Sequence, residues 1–354
     1  MSPRRQFKVA AVQASSVTLD AQANVAKAIT ILEDAAKQGA QLVVFSELFL
    51  SGYPFWIWLH PYGEIVNFTK PYYQRSALTA NGPEANLLSL TCRRLGIRAV
   101  IGYAERDHGS LYMSQWMFGP DGSVVSRRKL KPSIMERVVF GEGNGSDLVV
   151  VDTEIGRVGA LQCWEHTQLL IKHNMATQHE EIHCASWPAF PPKMPHYSLS
   201  RDANSSIIQS YAVETSTFVI ASTSPLTQAN IDIHVAGNDD LRELIPVGGG
   251  YTQIFSPEGQ PLCSEPAHDA ETVLYADVDL DDIFVAKSAM DAVGHYSRPD
   301  VFAVTVTRPE PRALNLAIGA GISPAAASEK VLEGGRVRKA LQAAPQQQEV
   351  ELAA

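Results

Sequence analysis

Short apolar runs and longer amphipathic stretches alternate through the first third of the chain. The short runs are typical of buried strands, and they lie at residues 7–14, 41–45 and 97–104. Residues 20–37 repeat apolar side chains at helical spacing and are followed by Gly39, a residue type that commonly ends helices. Pro83 begins a second helical stretch. The pattern predicts the order β-α-β-α-β and an α/β protein.

After residue 110 the pattern changes to strands joined by turns. We predict further strands at residues 148–151, 158–162, 182–187, 218–222, 248–255 and 272–278, with helices at 167–177 and 199–215. No internal repeat and no linker rich in Pro or Gly divides the chain, so we expect one domain at residues 1–309. Residues 310–354 are rich in Ala and Gln and are predicted to form a peripheral or disordered tail that could take part in oligomerisation.

Composition narrows the choice of partners and of compartment. The 354 residues carry a formal net charge of -9, which provides no basic surface for nucleic acid or for an acidic membrane. No apolar run reaches the length of a signal peptide core or of a membrane span. We therefore expect a soluble cytoplasmic protein that binds neither nucleic acid nor membranes.

The cysteines are few and widely spaced, and they are Cys92, Cys163, Cys184 and Cys263. Without a CxxC pair they suggest neither a disulfide framework nor a zinc ribbon, and they fit a reducing compartment. No P-loop and no dinucleotide-binding glycine pattern occurs, and no G-x-S-x-G nucleophile elbow. We predict no cofactor and no metal.

Cys163 is the strongest candidate for a reacting group. It follows the apolar run that ends at Gln162 and precedes a helical stretch, which places it at the edge of a sheet where catalytic groups collect. We expect the amino end of the next helix to lower the pKa of the thiol and to favour a thiolate nucleophile. The alternative is a buried cysteine that acts as a small apolar residue, and this interpretation is kept for the other three cysteines.

Two charged residues lie at the ends of other predicted strands. Glu47 closes the run Leu-Val-Val-Phe-Ser-Glu, and Lys129 lies in the basic segment 126–132. A nucleophile needs a base and a charge partner, so these two side chains could meet Cys163 at one edge of a sheet. Taken singly, each is more often a solvated surface charge.

Three long segments resemble the motifs of the nitrilase family. Residues 39–54 resemble its glutamate motif, residues 127–137 (RRKLKPSIMER) its lysine motif and residues 159–172 (beginning GALQCWEH) its cysteine motif. They occur in the family's order, with similar text between and after them, over roughly residues 7–305. Gln162 and Leu169 depart from the residues usual in the family, which bears on the shape of the pocket more than on the reaction.

The resemblance implies a function and a set of roles. By it, Cys163 is the nucleophile that attacks a nitrile carbon, Glu47 the general base, Lys129 the electrostatic stabiliser and Glu136 a supporting carboxylate. It also implies a substrate pocket lined by aromatic side chains, for which we expect Tyr53, Trp164 and Trp187. The product would be a carboxylic acid and ammonia, from an aromatic, arylacetonitrile or arylaliphatic substrate, through a thioimidate and a thioester.

The family resemblance further implies a four-layer α-β-β-α sandwich and a homo-oligomer in which dimers assemble into a spiral or filament. Two alternatives within the superfamily are an amidase and a cyanide-hydrolysing enzyme. An alternative from a different class is a catalytically silent protein that forms filaments.

The segment His179-Glu180-Glu181-Ile182-His183 matches the HExxH pattern of zinc proteases. On a helix this pattern would bring both imidazoles to one zinc ion. The apolar run that begins at Ile182 and the following Pro188 argue instead for a strand, on which the two histidines lie too far apart. We therefore interpret both histidines as structural.

Overall fold

The computed structural model describes residues 6–191 and 196–308. The predicted tail at 310–354 lies outside the described residues, and the boundary at residue 309 stays a prediction. None of the helices in the described segments has the length and the apolar content that crossing a bilayer requires.

The first half of the chain alternates strands with helices and then continues as antiparallel strands. Its elements are β1 (Gln6–Gln13), α1 (Ala21–Lys37), β2 (Ala40–Val44), α2 (Trp56–Leu59), α3 (Tyr62–Arg75), α4 (Pro83–Leu95), β3 (Arg98–Asp107), β4 (Ser110–Phe118), β5 (Val124–Arg128), β6 (Phe140–Gly141) and β7 (Val150–Thr153). Short 3-10 helices cover Ile134–Val138 and Gly145–Asp147.

The second half brings strands and helices of the other sheet. Its elements are β8 (Gly156–Gln162), α5 (Leu169–Thr177), β9 (Ile182–Ser186), α6 (Arg201–Thr215), β10 (Phe218–Ser222), α7 (Gln228–Val235), β11 (Gln253–Phe255), β12 (Thr272–Asp279) and α8 (Asp282–Ala289). The 3-10 helices here are Cys163–Thr167, Tyr197–Leu199 and Asp239–Leu244.

In the described part of the chain the strands form one sheet of seven strands and one of five. The first sheet has the order β12-β1-β2-β3-β4-β5, with β6 beside β4, and the second has the order β11-β10-β9-β8-β7. The neighbours β1, β2 and β3 are parallel, as are β8, β9 and β10. Within each set of parallel strands, the carboxyl ends therefore lie at the same edge of the sheet.

Three apolar cores hold four layers together. Alternate residues of β1 point to opposite sides, because side chains of a strand alternate between faces. Val9 packs between the two sheets with Leu42 and Ile220, whereas Val12 packs under α1 and α4 with Leu32. A third cluster joins α5 and α6 to the outer face of the second sheet. These layers confirm the predicted α-β-β-α sandwich.

The structure also contains elements that the hydrophobic pattern did not predict. Helices α2 and α3 follow the glutamate segment, where no element was expected, and α7 and α8 were missed in the same way. The last two predicted strands lie on different sheets, since β11 pairs with β10 and β12 pairs with β1. The sequence between these two strands indicated a short turn. It did not indicate that the chain crosses from one sheet to the other there.

Candidate active site

The predicted reacting residues follow strands whose carboxyl ends lie at the same end of the sandwich. Glu47 comes shortly after β2, Lys129 directly after β5 and Cys163 directly after β8. The backbone N–H of Glu47 donates to the carbonyl of Trp187, which follows β9, over 3.3 Å. This hydrogen bond joins the carboxyl edges of the two sheets.

The ammonium of Lys129 lies between two carboxylates. Its Nζ donates to Oε1 of Glu47 over 2.8 Å and to Oε2 of Glu136 over 2.7 Å. All three side chains are buried, with at most 1% of each side chain exposed. In this low-dielectric setting the charge of each of the three groups strongly affects the protonation of the other two.

The sulfur of Cys163 completes this cluster. Its Sγ and one carboxylate oxygen from each of Glu47 and Glu136 all lie within 4.8 Å of one another. A thiol and two carboxylates are also a possible ligand set for a metal ion, but the ammonium of Lys129 already binds both carboxylates. The structure thus brings together the four residues that the sequence proposed as catalytic.

Glu136 is fixed by neighbours on each of its oxygens. Besides Lys129, Oε2 accepts from the backbone N–H of Ser133 over 2.6 Å, in a capping box at the start of the 3-10 helix Ile134–Val138. Oε1 accepts from the hydroxyl of Tyr53 over 2.8 Å. These bonds leave Glu136 suited to orienting the lysine rather than to moving protons.

Glu47 accepts fewer hydrogen bonds than Glu136. Its Oε1 accepts from Lys129, whereas its buried Oε2 has no hydrogen-bond partner among residues 6–191 and 196–308. Burial raises the pKa of Glu47 to about 8, although the charge of Lys129 opposes the rise. A carboxyl group with a pKa near neutrality can both take and return a proton.

Burial alone disfavours the Lys129 ammonium, but the charges of Glu136 and Glu47 outweigh that effect and raise the pKa of the lysine above its ordinary range. The lysine therefore stays charged throughout the neutral pH range. It supplies fixed positive charge to the site and does not act as a base.

The prediction of a thiolate at Cys163 was wrong. The residue begins the five-residue 3-10 helix Cys163–Thr167, which separates it from the amino end of α5. Burial raises the pKa of the thiol well above its usual range, and the charges of Glu47 and Glu136 add to the rise. Lys129 and the backbone N–H of Trp164 act in the opposite direction and do not compensate. The resting group is the thiol, which has to lose its proton as it reacts.

The backbone at Cys163 adopts an unusual conformation. Its φ of +47° lies in the left-handed region, which costs a residue with a side chain about 1–2 kcal/mol. A residue in this region at the end of a strand turns the chain sharply and directs its side chain away from the sheet. Such local strain persists only where surrounding contacts hold it.

A second buried ion pair links β5, which ends just before Lys129, to the 3-10 helix that begins at Cys163. Arg127 donates from both terminal nitrogens to Glu165, over 2.6 and 2.9 Å. Glu165 also accepts from the backbone N–H groups of Leu130 and Gln162, each over 2.8 Å. Burial would raise the pKa of Glu165, but Arg127 and these N–H groups lower it below the ordinary value.

A cavity of about 440 Å³ opens onto the sulfur. Cys163 and Glu136 reach its surface, while Glu47 and Lys129 lie behind it, fully buried. Tyr53 and Trp164 line the wall as predicted. The wall is largely apolar and aromatic, and its other aromatic members are Phe55, Trp58 and Phe190.

Trp187 does not line this cavity, in contrast to the prediction. It is fully buried and stacks on His166 with ring centroids 5.0 Å apart. The side chain of Trp187 thus supports the segment that carries the nucleophile, and Phe190 takes the place at the wall. The aromatic run of residues 53–58 was the sequence signal that could have indicated Phe55 and Trp58.

The HExxH segment spans a turn and a strand. His179 is exposed and has a φ of +57°, whereas His183 lies in β9 and is fully buried. The two imidazoles therefore occupy different environments, and only His183 lies on the strand. Nδ1 of His183 lies 2.7 Å from Oε1 of Glu180.

Comparisons with known proteins identify relatives over most of the chain. The family model for carbon-nitrogen hydrolases matches residues 8–287. An aliphatic nitrilase of Rhodococcus rhodochrous is 44% identical over 303 residues, covering 85% of this chain and 79% of the relative. An arylacetone-specific nitrilase of Alcaligenes faecalis is 42% identical over 302 residues, covering 85% and 84%.

Solved structures show the same fold at low identity. A carbon-nitrogen hydrolase from Helicobacter pylori G27 superposes with a TM-score of 0.65 and is 18% identical, covering 83% of this chain and 96% of that one. Nit3 from Saccharomyces cerevisiae, a member of the nitrilase superfamily, superposes with a TM-score of 0.61 at 19% identity, covering 82% and 96%. These similarities support the architecture alone.

Proposed function

Because the chain belongs to the carbon-nitrogen hydrolase family and is a nitrile-hydrolysing enzyme, we propose that it converts organic nitriles with an aryl or arylalkyl group into the carboxylic acid and ammonia. Cys163 is the nucleophile in this proposal, Glu47 the general acid and base, and Lys129 the electrostatic stabiliser. Glu136 orients the lysine.

One observation carries the proposal. A thiol, a carboxyl group with an unoccupied oxygen and a permanently charged ammonium lie together at the end of an apolar cavity. Nucleophilic catalysis by cysteine needs a base for the thiol proton and positive charge near the atom that becomes negative. Cys163, Glu47 and Lys129 provide these groups.

In the first step the sulfur of Cys163 attacks the nitrile carbon while Glu47 removes the thiol proton. The same carboxyl group then gives that proton to the nitrile nitrogen, which leaves a neutral thioimidate and an ionised Glu47. A raised thiol pKa favours proton transfer during the attack rather than before it. Lys129 stabilises the negative charge that develops at nitrogen.

In the following steps Glu47 deprotonates a water molecule that adds to the thioimidate. Glu47 returns this proton to nitrogen, which gives a tetrahedral intermediate with a hydroxyl and an amino group. Glu47 then moves the hydroxyl proton to the amino group, so that ammonia leaves, the carbonyl forms and a thioester remains on Cys163. A second water molecule releases the acid and restores the thiol. If the intermediate expels the sulfur instead of ammonia, the product is the amide.

The cavity supports an aryl or arylalkyl substrate. Aromatic walls contribute apolar contact area and ring packing, and Tyr53, Phe55, Trp58, Trp164 and Phe190 line this volume. About 440 Å³ accommodates an organic group, which favours such nitriles over cyanide. The relatives include both an aliphatic and an arylacetone-specific nitrilase, so the substrate class needs a direct test.

The test is ammonia release from a matched panel. It pairs phenylacetonitrile, benzonitrile and a linear aliphatic nitrile, each with the corresponding amide, and adds cyanide. We expect kcat/KM to be highest for an aromatic nitrile and at least about tenfold lower for its amide. Faster turnover of the amides would establish an amidase, and preference for the aliphatic nitrile or for cyanide would contradict the proposed substrate.

A further inference from the structure

A chain of buried side chains leads from the outer helix layer to the backbone of Cys163. Tyr211 of α6 donates its hydroxyl proton to Oε2 of Glu180 over 2.7 Å, and Oε1 of Glu180 lies 2.7 Å from Nδ1 of His183. Nε2 of His183 lies 2.9 Å from Nε2 of His166. Nδ1 of His166 lies 2.6 Å from the carbonyl oxygen of Cys163.

The surrounding structure holds these side chains in place. Each of the four is at most 2% exposed. The ring of Tyr211 stacks on His183 with centroids 3.9 Å apart, and Trp187 stacks on His166.

A glycine makes room for the carboxyl group of this chain. A Cβ at Gly159 would lie 1.9 Å from Oε1 of Glu180, so a side chain there would displace the carboxyl group. The glycine lies in β8 directly opposite His183 of β9. Residues of β8, β9 and α6 therefore all contribute to the space in which these hydrogen bonds form.

The contact between His166 and the carbonyl oxygen of Cys163 determines which imidazole nitrogens carry hydrogen. A carbonyl oxygen can only accept, so Nδ1 of His166 carries a hydrogen and donates it. Burial, together with the neighbouring His183, lowers the pKa of His166 well below its usual range. The imidazole is therefore neutral, and its Nε2 accepts from Nε2–H of His183.

The same reasoning gives the positions of the hydrogens between His183, Glu180 and Tyr211. With a hydrogen on its Nε2, His183 shares one further proton between its Nδ1 and the carboxyl group of Glu180. Burial raises the pKa of Glu180 to about 8, which favours the proton on the carboxyl group. Tyr211 donates to the second carboxyl oxygen, and every hydrogen bond in the chain then has one donor and one acceptor.

We propose that His166, His183 and Glu180 are positioning residues for the nucleophile. By binding the carbonyl of Cys163 they hold the left-handed backbone at that residue, which directs the sulfur towards Glu47 and the cavity. The inference rests on the proposed role of Cys163 in nitrile hydrolysis. It also gives the buried part of the HExxH segment a role that involves no metal.

The first experiment compares two amides at position 166. In His166→Asn the amide nitrogen takes the place of Nδ1 and can still donate to the carbonyl of Cys163, whereas in His166→Gln it takes the place of Nε2 and cannot. We expect kcat of the Asn variant to stay within about fivefold of the original enzyme and kcat of the Gln variant to fall at least about tenfold below that of the Asn variant. KM should change less than about twofold in both, because neither residue touches the cavity. Equal losses in the two variants would overturn the proposal.

The second experiment acts on the far end of the chain. Glu180→Gln can donate an N–H to Nδ1 of His183 and accept from Tyr211, while Glu180→Leu can do neither. We expect kcat of the Gln variant within about twofold of the original and kcat of the Leu variant lower by about three- to fivefold, since His166 itself can still donate to the carbonyl of Cys163. A Leu variant that folds and keeps full kcat would contradict the proposal, as would a Gln variant no better than Leu.

A measurement on the unmodified full-length protein needs no variant to fold. In protein labelled with ¹⁵N-histidine, NMR should show His166 as the neutral Nδ1–H tautomer and His183 with a hydrogen on Nε2. An Nε2–H tautomer at His166 would overturn the proposed chain. This readout is independent of turnover, so loss of the nucleophile role of Cys163 and loss of the positioning role are distinguishable.

Discussion

Two buried cation-carboxylate pairs lie two residues apart at the end of β5, and they differ in how completely the carboxylate is satisfied. Arg127 and two backbone N–H groups together give Glu165 four hydrogen bonds. Lys129 gives Glu47 one, and the second oxygen of Glu47 accepts none from the described residues. The pKa of Glu165 is accordingly lowered, and that of Glu47 is raised to about 8.

The difference separates a structural pair from a reactive one. A carboxylate with all its acceptor sites filled is stable in its charged form and holds two segments together. A buried carboxylate that accepts fewer hydrogen bonds from the protein is less stabilised in its charged form and binds a proton more readily. Both glutamates are fully buried, but Glu47 shares the charge of Lys129 with Glu136, whose own charge raises the pKa of Glu47, whereas Glu165 has the charge of Arg127 and two backbone N–H groups. Charge balance and hydrogen bonding together therefore separate the two glutamates.

The largest expected effect tests the reactive pair. Glu47→Gln should lower kcat by about 10³-fold, because the amide cannot remove the thiol proton. The free energy of unfolding should change by less than about 1 kcal/mol, since Lys129 keeps its bond to Glu136. Steady-state kinetics and denaturant unfolding measure the two quantities. A Glu47→Gln variant with more than about a tenth of the original kcat would remove the general base from the account.

The matched change in the structural pair should have the opposite profile. Glu165→Gln leaves the guanidinium of Arg127 without a countercharge in the core, so we expect the free energy of unfolding to fall by about 3–5 kcal/mol. The double variant Arg127→Met with Glu165→Gln serves as control, because it removes the unpaired charge and keeps an amide oxygen that can accept from a backbone N–H group, and it should recover part of that loss. Denaturant titration decides the matter, and a Glu165→Gln protein as stable as the original would erase the proposed difference between the pairs.

The pH dependence sharpens the same comparison. The base has to be ionised, and burial raises the pKa of Glu47 to about 8, so kcat/KM should rise about tenfold per pH unit and level off near pH 8. The folded protein keeps this proton at pH values where the unfolded chain loses it. The contribution of Glu47 to stability therefore decreases as the pH rises from about 4.5 to about 8.

The pH profile is measured with a nitrile that has no ionisable group. Activity that is already constant from about pH 6 would show that the pKa of Glu47 is not raised.

The smallest expected effect concerns the supporting carboxylate. Tyr53→Phe removes the hydroxyl that donates to Oε1 of Glu136 and should lower kcat about tenfold. The apolar ring remains, so KM for an aromatic nitrile should change less than about threefold. Kinetics on one substrate separate the two parameters. A change confined to KM would mean that Tyr53 serves only as pocket wall.

Local patterns predicted most of what positions the site. The strands ending near Glu47 and Cys163 are short apolar runs, and parallel strands bring their carboxyl ends together. The strand before Lys129 has the sequence Val-Val-Ser-Arg-Arg, which carries no apolar run, and its bounds were not predicted. The layers of the sandwich came from the family resemblance, which the structure confirms. Assembly into dimers and filaments and a cytoplasmic location stay predictions.

The properties that were not predicted depend on tertiary burial. The sequence showed a helical stretch after Cys163, but the thiol pKa depends on surroundings contributed by distant segments. The bond of Arg127 to Glu165 joins residues 38 positions apart. Trp187 and Phe190 are both aromatic residues after β9, and only the path of the chain decides which one reaches the cavity.

The most direct test of the covalent role of Cys163 is mass spectrometry of the enzyme quenched during turnover of an aromatic nitrile. Intact mass followed by peptide mapping should show an adduct of the substrate on the peptide that contains Cys163, and a Cys163→Ala variant should carry no adduct and retain less than about 1% of the activity. Turnover with an adduct on another residue, or an active Cys163→Ala variant, would contradict the account.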